Sequence, residues 1–223
     1  MIADPARSRM LAYLMAGDLA SAGELSRAAS IAPPTASGHL AKLVDAGFIV
    51  CEPRGRHRYF RLADGEIAQA LQALALVAER DTHDRARASP ERQRLRQARC
   101  CYGHLAGRVG VALFDCLRQD GRLCETAAGF ELTERGVAWL AGLGFAAVPA
   151  RAAVNPRRFA YGCLDWSERS DHLAGSLAKA LLEHFIAQGW LRRRDARGDA
   201  GGHRVLTPTP TGRRHLLATL GIE

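Results

Sequence analysis

The stretch SAGELSRAASIAPPTASGHLAKLVDAGFIVCEPRGRHRYFRL, residues 21–62, decides the fold of the amino-terminal third. Ser21 is a good N-cap and Glu24 falls three residues later, the spacing of a capping box, so a short helix containing Leu25 is predicted to run to Ala29. Ile31 to Pro34 read as a turn. From Thr35 to Ala46 a second helix carries Leu40, Leu43 and Val44 on one face, with Thr35, Ser37, Gly38, His39 and Lys42 on the others, and Gly47 stops it. Phe48 to Glu52, the Pro53-Arg54-Gly55-Arg56 corner and the alternating run His57 to Leu62 then predict two strands joined by a tight, basic hairpin.

Outward from this stretch, Asp4 and Pro5 open a helix with Met10, Leu11, Leu14 and Met15 as its apolar residues, and Gly17 ends it. On the other side Asp64 caps a helix from Gly65 to about Glu79, with Ile67, Ala70, Leu71, Leu74 and Val77 on one stripe. Helix, short turn, helix and basic ribbon in that order make a winged helix-turn-helix. The start of its second helix offers backbone N–H groups and a positive dipole end to phosphate. Thr35, Ser37, Gly38, His39 and Lys42 on that helix, and Arg54, Arg56, His57 and Arg58 on the hairpin, are the candidate DNA-contacting residues. Two plainer readings stand beside this one: the arginines as a solvated hairpin tip, and His39 as a residue that orients the helix through a phosphate or a neighbouring group.

Composition agrees with an anionic partner. The formal net charge is +8 and the pI about 9.7, with Lys42 and Lys179 the only lysines, although an arginine excess also follows from a GC-rich genome. With 223 residues, 48% of them hydrophobic, the chain can bury one or two ordinary cores, which excludes disorder as its main description. No apolar run approaches the roughly 18 residues that would span a bilayer, and no signal peptide is read at the start, so a cytoplasmic protein with no membrane partner is expected. Six irregularly spaced cysteines do not make a secreted disulfide framework; reduced thiols are expected, with no bridge between the adjacent Cys100 and Cys101.

Over roughly residues 5–80 the quoted motifs resemble the ArsR/SmtB repressors: the Glu24-Leu25 pair, Thr35-x-Ser37-x-His39-Leu40 in the recognition helix, the Ala46-Gly47-Phe48-Ile49-Val50 exit, and the Gly55-Arg56-x-x-Tyr59-x-Leu62 wing. The resemblance implies a homodimeric repressor that binds double-stranded operator DNA. It does not supply a metal site. Many members bind metal through cysteines after the Glu-Leu pair or Asp/His pairs on the last dimerisation helix, whereas here Ser26 to Ser30 contain no thiol and Glu66 to Ala78 no His or Asp. His83, Asp81 and Asp84 lie in a charged stretch, Glu79 to Arg99, read as a solvated linker running into a helix.

Beyond the resemblance the chain contains a repeat. Gly103-His104-Leu105-Ala106-Gly107 recurs as Asp171-His172-Leu173-Ala174-Gly175, and at the same offset of 68 Ala112-Leu113 match Ala180-Leu181, and Gly121 and Leu123 match Gly189 and Leu191. Both copies go on to Leu-Thr (Leu132-Thr133, Leu206-Thr207), a glycine (Gly136, Gly212) and Leu-Gly (Leu143-Gly144, Leu220-Gly221). The fold class expected is therefore mainly α with small β wings: a winged helix-turn-helix over 1–85, a linker helix over 86–99, and a module of two helix–hairpin–helix repeats, 100–150 and 163–223. The two HLAG segments are expected to begin long helices that face each other across a pseudo-twofold axis, and the basic run Trp190 to Arg194 is read as a solvated wing.

Cys101, Tyr102, His104, Cys163, Trp166 and His172 gather where the repeats begin and form the candidate effector site. Thiols and imidazoles suit a soft metal or metalloid, the aromatic groups an organic ligand, and plain core packing explains them equally; no metal is assigned. Catalysis is not expected, since Gly103, Gly107 and Gly110 lie in no phosphate loop and no catalytic Ser/His/Asp order appears. The reading is a repressor released by an effector held in the carboxy-terminal region. The alternative is a constitutive or architectural DNA-binding protein whose tail only braces the dimer.

Overall fold

Asp4, Ser21 and Asp64 each close the start of a helix in the computed structural model of the chain, which describes residues 1–55, 57–78, 90–145, 159–194 and 202–220. The chain forms two units. One comprises Met1–Leu95, Cys100–Gly103 and Arg193–Leu206, the other Arg96–Arg99, His104–Arg192 and Thr207–Glu223.

In the first unit α1 (Pro5–Leu14) starts where Asp4 Oδ1 accepts from the amides of Ala6 and Arg7 at 2.9 and 3.1 Å. Helix α2 (Ala22–Ala29) has the full capping box of Ser21 and Glu24 and ends at Ser30 in the left-handed region, φ 57°. Helix α3 runs Pro33–Asp45, two residues earlier than the sequence predicts, because Pro33 and Pro34 occupy its first positions, where a fixed φ favours the helix and no amide hydrogen is needed. Strands β2 (Ile49–Arg54) and β3 (His57–Leu62) pair antiparallel as the wing. A two-residue β1 (Ala20–Ser21) adds to β3, which the sequence did not reveal. Met10, Leu11, Leu14, Leu25, Leu43, Ile49 and Leu62 fill the core.

Helix α4 (Gly65–Ala78) begins where Asp64 Oδ1 accepts from the amides of Glu66 and Ile67 at 2.8 and 2.9 Å. It buries Ala68 and Gln72, while Ile67 and Leu71 are half-buried and Leu74 and Val77 stand 46% and 54% exposed. The charged residues 79–89, with Asp81, His83 and Asp84, lie outside the described residues, and α5 (Pro90–Gln97) follows them.

The second unit is built on the repeat, with one correction. The His-Leu-Ala segments are strands rather than helix starts. They form β5 (His104–Ala106), paired with β4 (Arg99–Cys101), and β9 (Asp171–Ala174), paired with β8 (Tyr161–Leu164). The helices begin after Gly107 and Gly175, whose φ values of 80° and 97° turn the chain from strand to helix at little cost without a Cβ. Helices α6 (Arg108–Gln119) and α8 (Ser176–Ala187) match at the offset of 68 from end to end. They do not face each other. Helix α6 packs on β9 and α8 on β5, with β5 against β9, so each copy's strand buries the other copy's helix. Val109, Leu113 and Leu117 of α6 and Leu177, Leu181 and Phe185 of α8 are the buried equivalents.

Each helix leads to a hairpin, β6 (Leu123–Thr126) with β7 (Gly129–Leu132) in the first copy and β10 (Leu191–Arg193) with β11 (Leu206–Pro208) in the second. Closing helices α7 (Glu134–Gly142) and α9 (Pro210–Leu220) follow. Thr133 caps α7 through the Gly136 amide and donates to Gly121 O at 2.7 Å. Its equivalent is Thr209, not the Thr207 that the sequence alignment pairs with it, since Thr209 accepts from the Gly212 amide and donates to Gly189 O at 2.7 Å. A longer hairpin in the second copy shifts the register there by the extra residues. No helix among the described residues is long and apolar enough to cross a membrane.

Candidate functional site

The first unit presents the DNA-contacting candidates on α3 and the wing. Thr35, Ser37, Gly38, Lys42, Arg54, His57 and Arg58 are exposed, and Arg56 lies outside the described residues. Ser37 Oγ donates back to Pro33 O at 3.1 Å, a local bond that holds the hydroxyl along its own helix. His39 is half-buried and turns toward α1, its Nδ1 3.3 Å from Arg7 Nη1 and 3.7 Å from Asp4 Oδ1, a position that orients α3. On the wing Glu52 takes both Arg54 and Arg61. Those contacts hold its carboxyl below the usual range, with the Arg61 hydrogen bond the main cause.

The second unit brings together three of the candidate effector residues. His104 on β5 and His172 on β9 are buried, with their Nε2 atoms 3.0 Å apart. Cys163 on β8 stands directly across the strand pair from His172. One donor atom from each of His104, Cys163 and His172 lies within 4.8 Å of the others. Trp166 is buried with the Arg99 guanidinium 4.5 Å above its ring.

The residue that organises this centre, Asp165, is absent from the sequence-based candidates. Fully buried, it takes His172 Nδ1 at 3.1 Å and the Gly107 amide at 2.7 Å on Oδ2. On Oδ1 it takes Arg99 Nη2 at 2.8 Å and the Ser167 amide and hydroxyl at 2.9 and 2.8 Å. Burial alone would raise its pKa; the His172 hydrogen bond and the Arg99 charge outweigh that, and the carboxyl stays well below the usual carboxylate range. A local signal existed, since Asp165-Trp-Ser-Glu168 has the Asp-x-x-Glu spacing of a cap.

Cys101 and Tyr102 belong to the first unit. Cys101 is buried, and Gln72 Nε2 of α4 donates to its sulfur at 2.7 Å. The Tyr102 amide donates to Met15 O at 2.6 Å. No disulfide joins any of the six cysteines. The basic end of the second copy's hairpin is not simply solvated: Arg193 pairs with Asp18, and the buried Arg204 donates through Nε to Cys100 O at 3.1 Å. There His203 stacks on Tyr13 with ring centroids 3.7 Å apart, beside a cleft of about 240 Å³ bordered by Asp18, Glu24, Arg193 and Arg194.

Residues 2–52 match a family model described as a helix-turn-helix domain. A Bacillus subtilis protein described as the uncharacterized HTH-type transcriptional regulator YdfF is 42% identical over 194 residues, which is 86% of this chain and 84% of that protein. Among solved structures, a homodimeric winged helix-turn-helix DNA-binding domain from Mycobacterium bovis, described as a possible ArsR-family transcriptional regulator, is 25% identical. That match covers 37% of this chain and 74% of that one, with a TM-score of 0.33. The M. tuberculosis protein Rv0081 is 29% identical over 38% of this chain and 84% of its own, with a TM-score of 0.35.

Proposed function

The chain belongs to the helix-turn-helix transcriptional regulators, and from that membership we propose that it is a repressor: a homodimer that holds operator DNA until an effector occupies its carboxy-terminal unit. The observation that carries the reading is the exposed polar and basic set on α3 and the wing, Thr35, Gly38, Lys42, Arg54, His57 and Arg58, in a domain whose apolar residues are otherwise well buried. Such a surface gives α3 to a major groove and the wing to the adjacent backbone.

The dimer reading rests on α4, where Leu74 and Val77 remain exposed on a helix with few charges, a stripe that a second copy would cover. Release by an effector rests on chain connectivity. The β4–β5 hairpin carries Cys101, whose sulfur is held by Gln72 of α4, and three residues later His104, which faces His172. A ligand that moves this hairpin acts on the helix that carries the dimer face. The protein is read as a cytoplasmic binding protein rather than an enzyme.

The test is a footprint and anisotropy titration on the DNA upstream of its own gene, followed by challenge of the bound complex with arsenite, zinc, hydrogen peroxide and a panel of aromatic compounds. Two protected half-sites one or two helical turns apart, and release by one compound, are expected. Equal binding to all DNA at fixed salt, or a complex that no compound releases, would leave the constitutive architectural reading instead.

A further inference from the structure

We propose that the carboxy-terminal unit is a zinc(II)-binding unit in which His104, His172 and Cys163 hold one ion. This goes beyond the repressor reading and does not depend on it.

The donor set is the first ground. Imidazole and thiolate together suit zinc, and two imidazoles with one thiolate supply three of the four positions of a tetrahedral ion. His104, Cys163 and His172 are all buried, with donor atoms within 4.8 Å of one another. A tetrahedral zinc ion with Zn–N bonds of about 2.0–2.1 Å sets its two nitrogens about 3.3 Å apart. The 3.0 Å between the two Nε2 atoms needs to widen by only a few tenths of an ångström to admit it.

The second ground is what stands behind the ligands. A zinc-bound histidine characteristically gives its other ring N–H to a carboxylate, which fixes the tautomer and aims the free lone pair at the metal. Asp165 stands in that position behind His172, its Oδ2 3.1 Å from Nδ1 while Nε2 faces His104. Asp165 is itself fixed by Arg99, Ser167 and the Gly107 amide, so the ring cannot easily reorient. A core that merely packed two histidines would not need a buried ion pair of this size behind one of them. Binding exchanges the proton on the Cys163 thiol for the metal and releases it to the buffer.

The decisive experiment uses the full chain, stripped with a chelator and titrated with zinc against a chromophoric competitor, then with cobalt(II) as a spectroscopic substitute. One equivalent per chain is expected, with the strong visible bands of a tetrahedral ion and a thiolate-to-cobalt charge-transfer band. Asp165→Asn should weaken affinity about 10- to 100-fold while keeping the stoichiometry. Cys163→Ser, a nearly isosteric change, should abolish the charge-transfer band, because Cys163 is the one thiolate among the three ligands. Far-UV circular dichroism and thermal unfolding confirm that each variant is folded, and His172→Gln gives a second route should Asp165→Asn fail that check. Absence of stoichiometric uptake, a thiolate-free octahedral cobalt spectrum, or uptake untouched by both Cys163→Ser and His172→Gln would overturn the site.

Discussion

His104 and His172 meet at Nε2, 3.0 Å apart, and they are the same residue of the two repeats, 68 positions from each other. The pseudo-twofold relation of the unit therefore passes between two imidazoles. Asp165, which precedes β9, backs His172, and the position 68 residues before it is Gln97. Duplication supplied the pair, and divergence of one copy fixed the ring orientation.

Breaking the pair beneath that ring should be costly. Arg99 and Asp165 are both fully buried at 2.8 Å, so Asp165→Ala leaves an uncompensated buried guanidinium and is expected to cost about 3–5 kcal/mol in urea unfolding. Removing the exposed Lys179–Glu183 pair of α8, 3.9 Å apart, should leave the urea midpoint unchanged. Equal effects of the two changes would contradict the burial argument.

Phosphate contacts should appear in salt dependence. Arg58→Ala and Lys42→Ala each remove an exposed cation from the proposed DNA face, and each lost phosphate contact should reduce the slope of log K against log salt by about 0.9. Slopes identical to the wild type would remove these residues from the interface.

Gly38 separates stability from binding. It lies inside α3 with nothing within 4 Å of an added Cβ, so Gly38→Ala should stabilise the fold by about 0.5–1 kcal/mol. Where DNA approaches α3 closely, the same methyl group should lower operator affinity. Thermal unfolding and anisotropy measured on one sample decide it; a rise in both quantities would show that DNA does not approach there.

Leu74→Glu changes a residue already 46% exposed, so the single chain should stay folded while the dimer falls apart in sedimentation and operator affinity drops. A folded dimer carrying Leu74→Glu would place the dimer face elsewhere.

Thiol chemistry separates two cysteines by burial. Burial pushes the Cys100 thiol from 9.0 up to about 11, and Cys124 is exposed, so alkylation at pH 8 should mark Cys124 quickly and spare Cys100 until the protein unfolds. Since the folded pKa is raised, the contribution of this thiol to stability is complete below pH 9 and is lost as pH rises toward 11. Mass mapping of the labelled peptides, and unfolding midpoints across that range, check both halves.

The helices of the first unit and the existence of a repeat were determined by the sequence itself, because each signal is local or periodic. An N-cap such as Ser21 or Asp64 acts on amides two or three residues away, and a glycine such as Gly47 ends a helix by its own backbone freedom. The constant offset of 68 needs no structure to be seen. What tertiary structure alone decided were matters of partner. A run as short as His-Leu-Ala fits a strand as well as a first helical turn, and only pairing of β8 with β9 and packing of β5 on α8 made these segments strands. Asp165 reaches Arg99 and Gly107, 66 and 58 residues away, and side-chain hydrogen bonds across such separations leave no periodicity to read. The capping role of Thr209 was likewise hidden, since hairpin length sets the register of everything after it and the chain's spelling does not reveal where a hairpin closes.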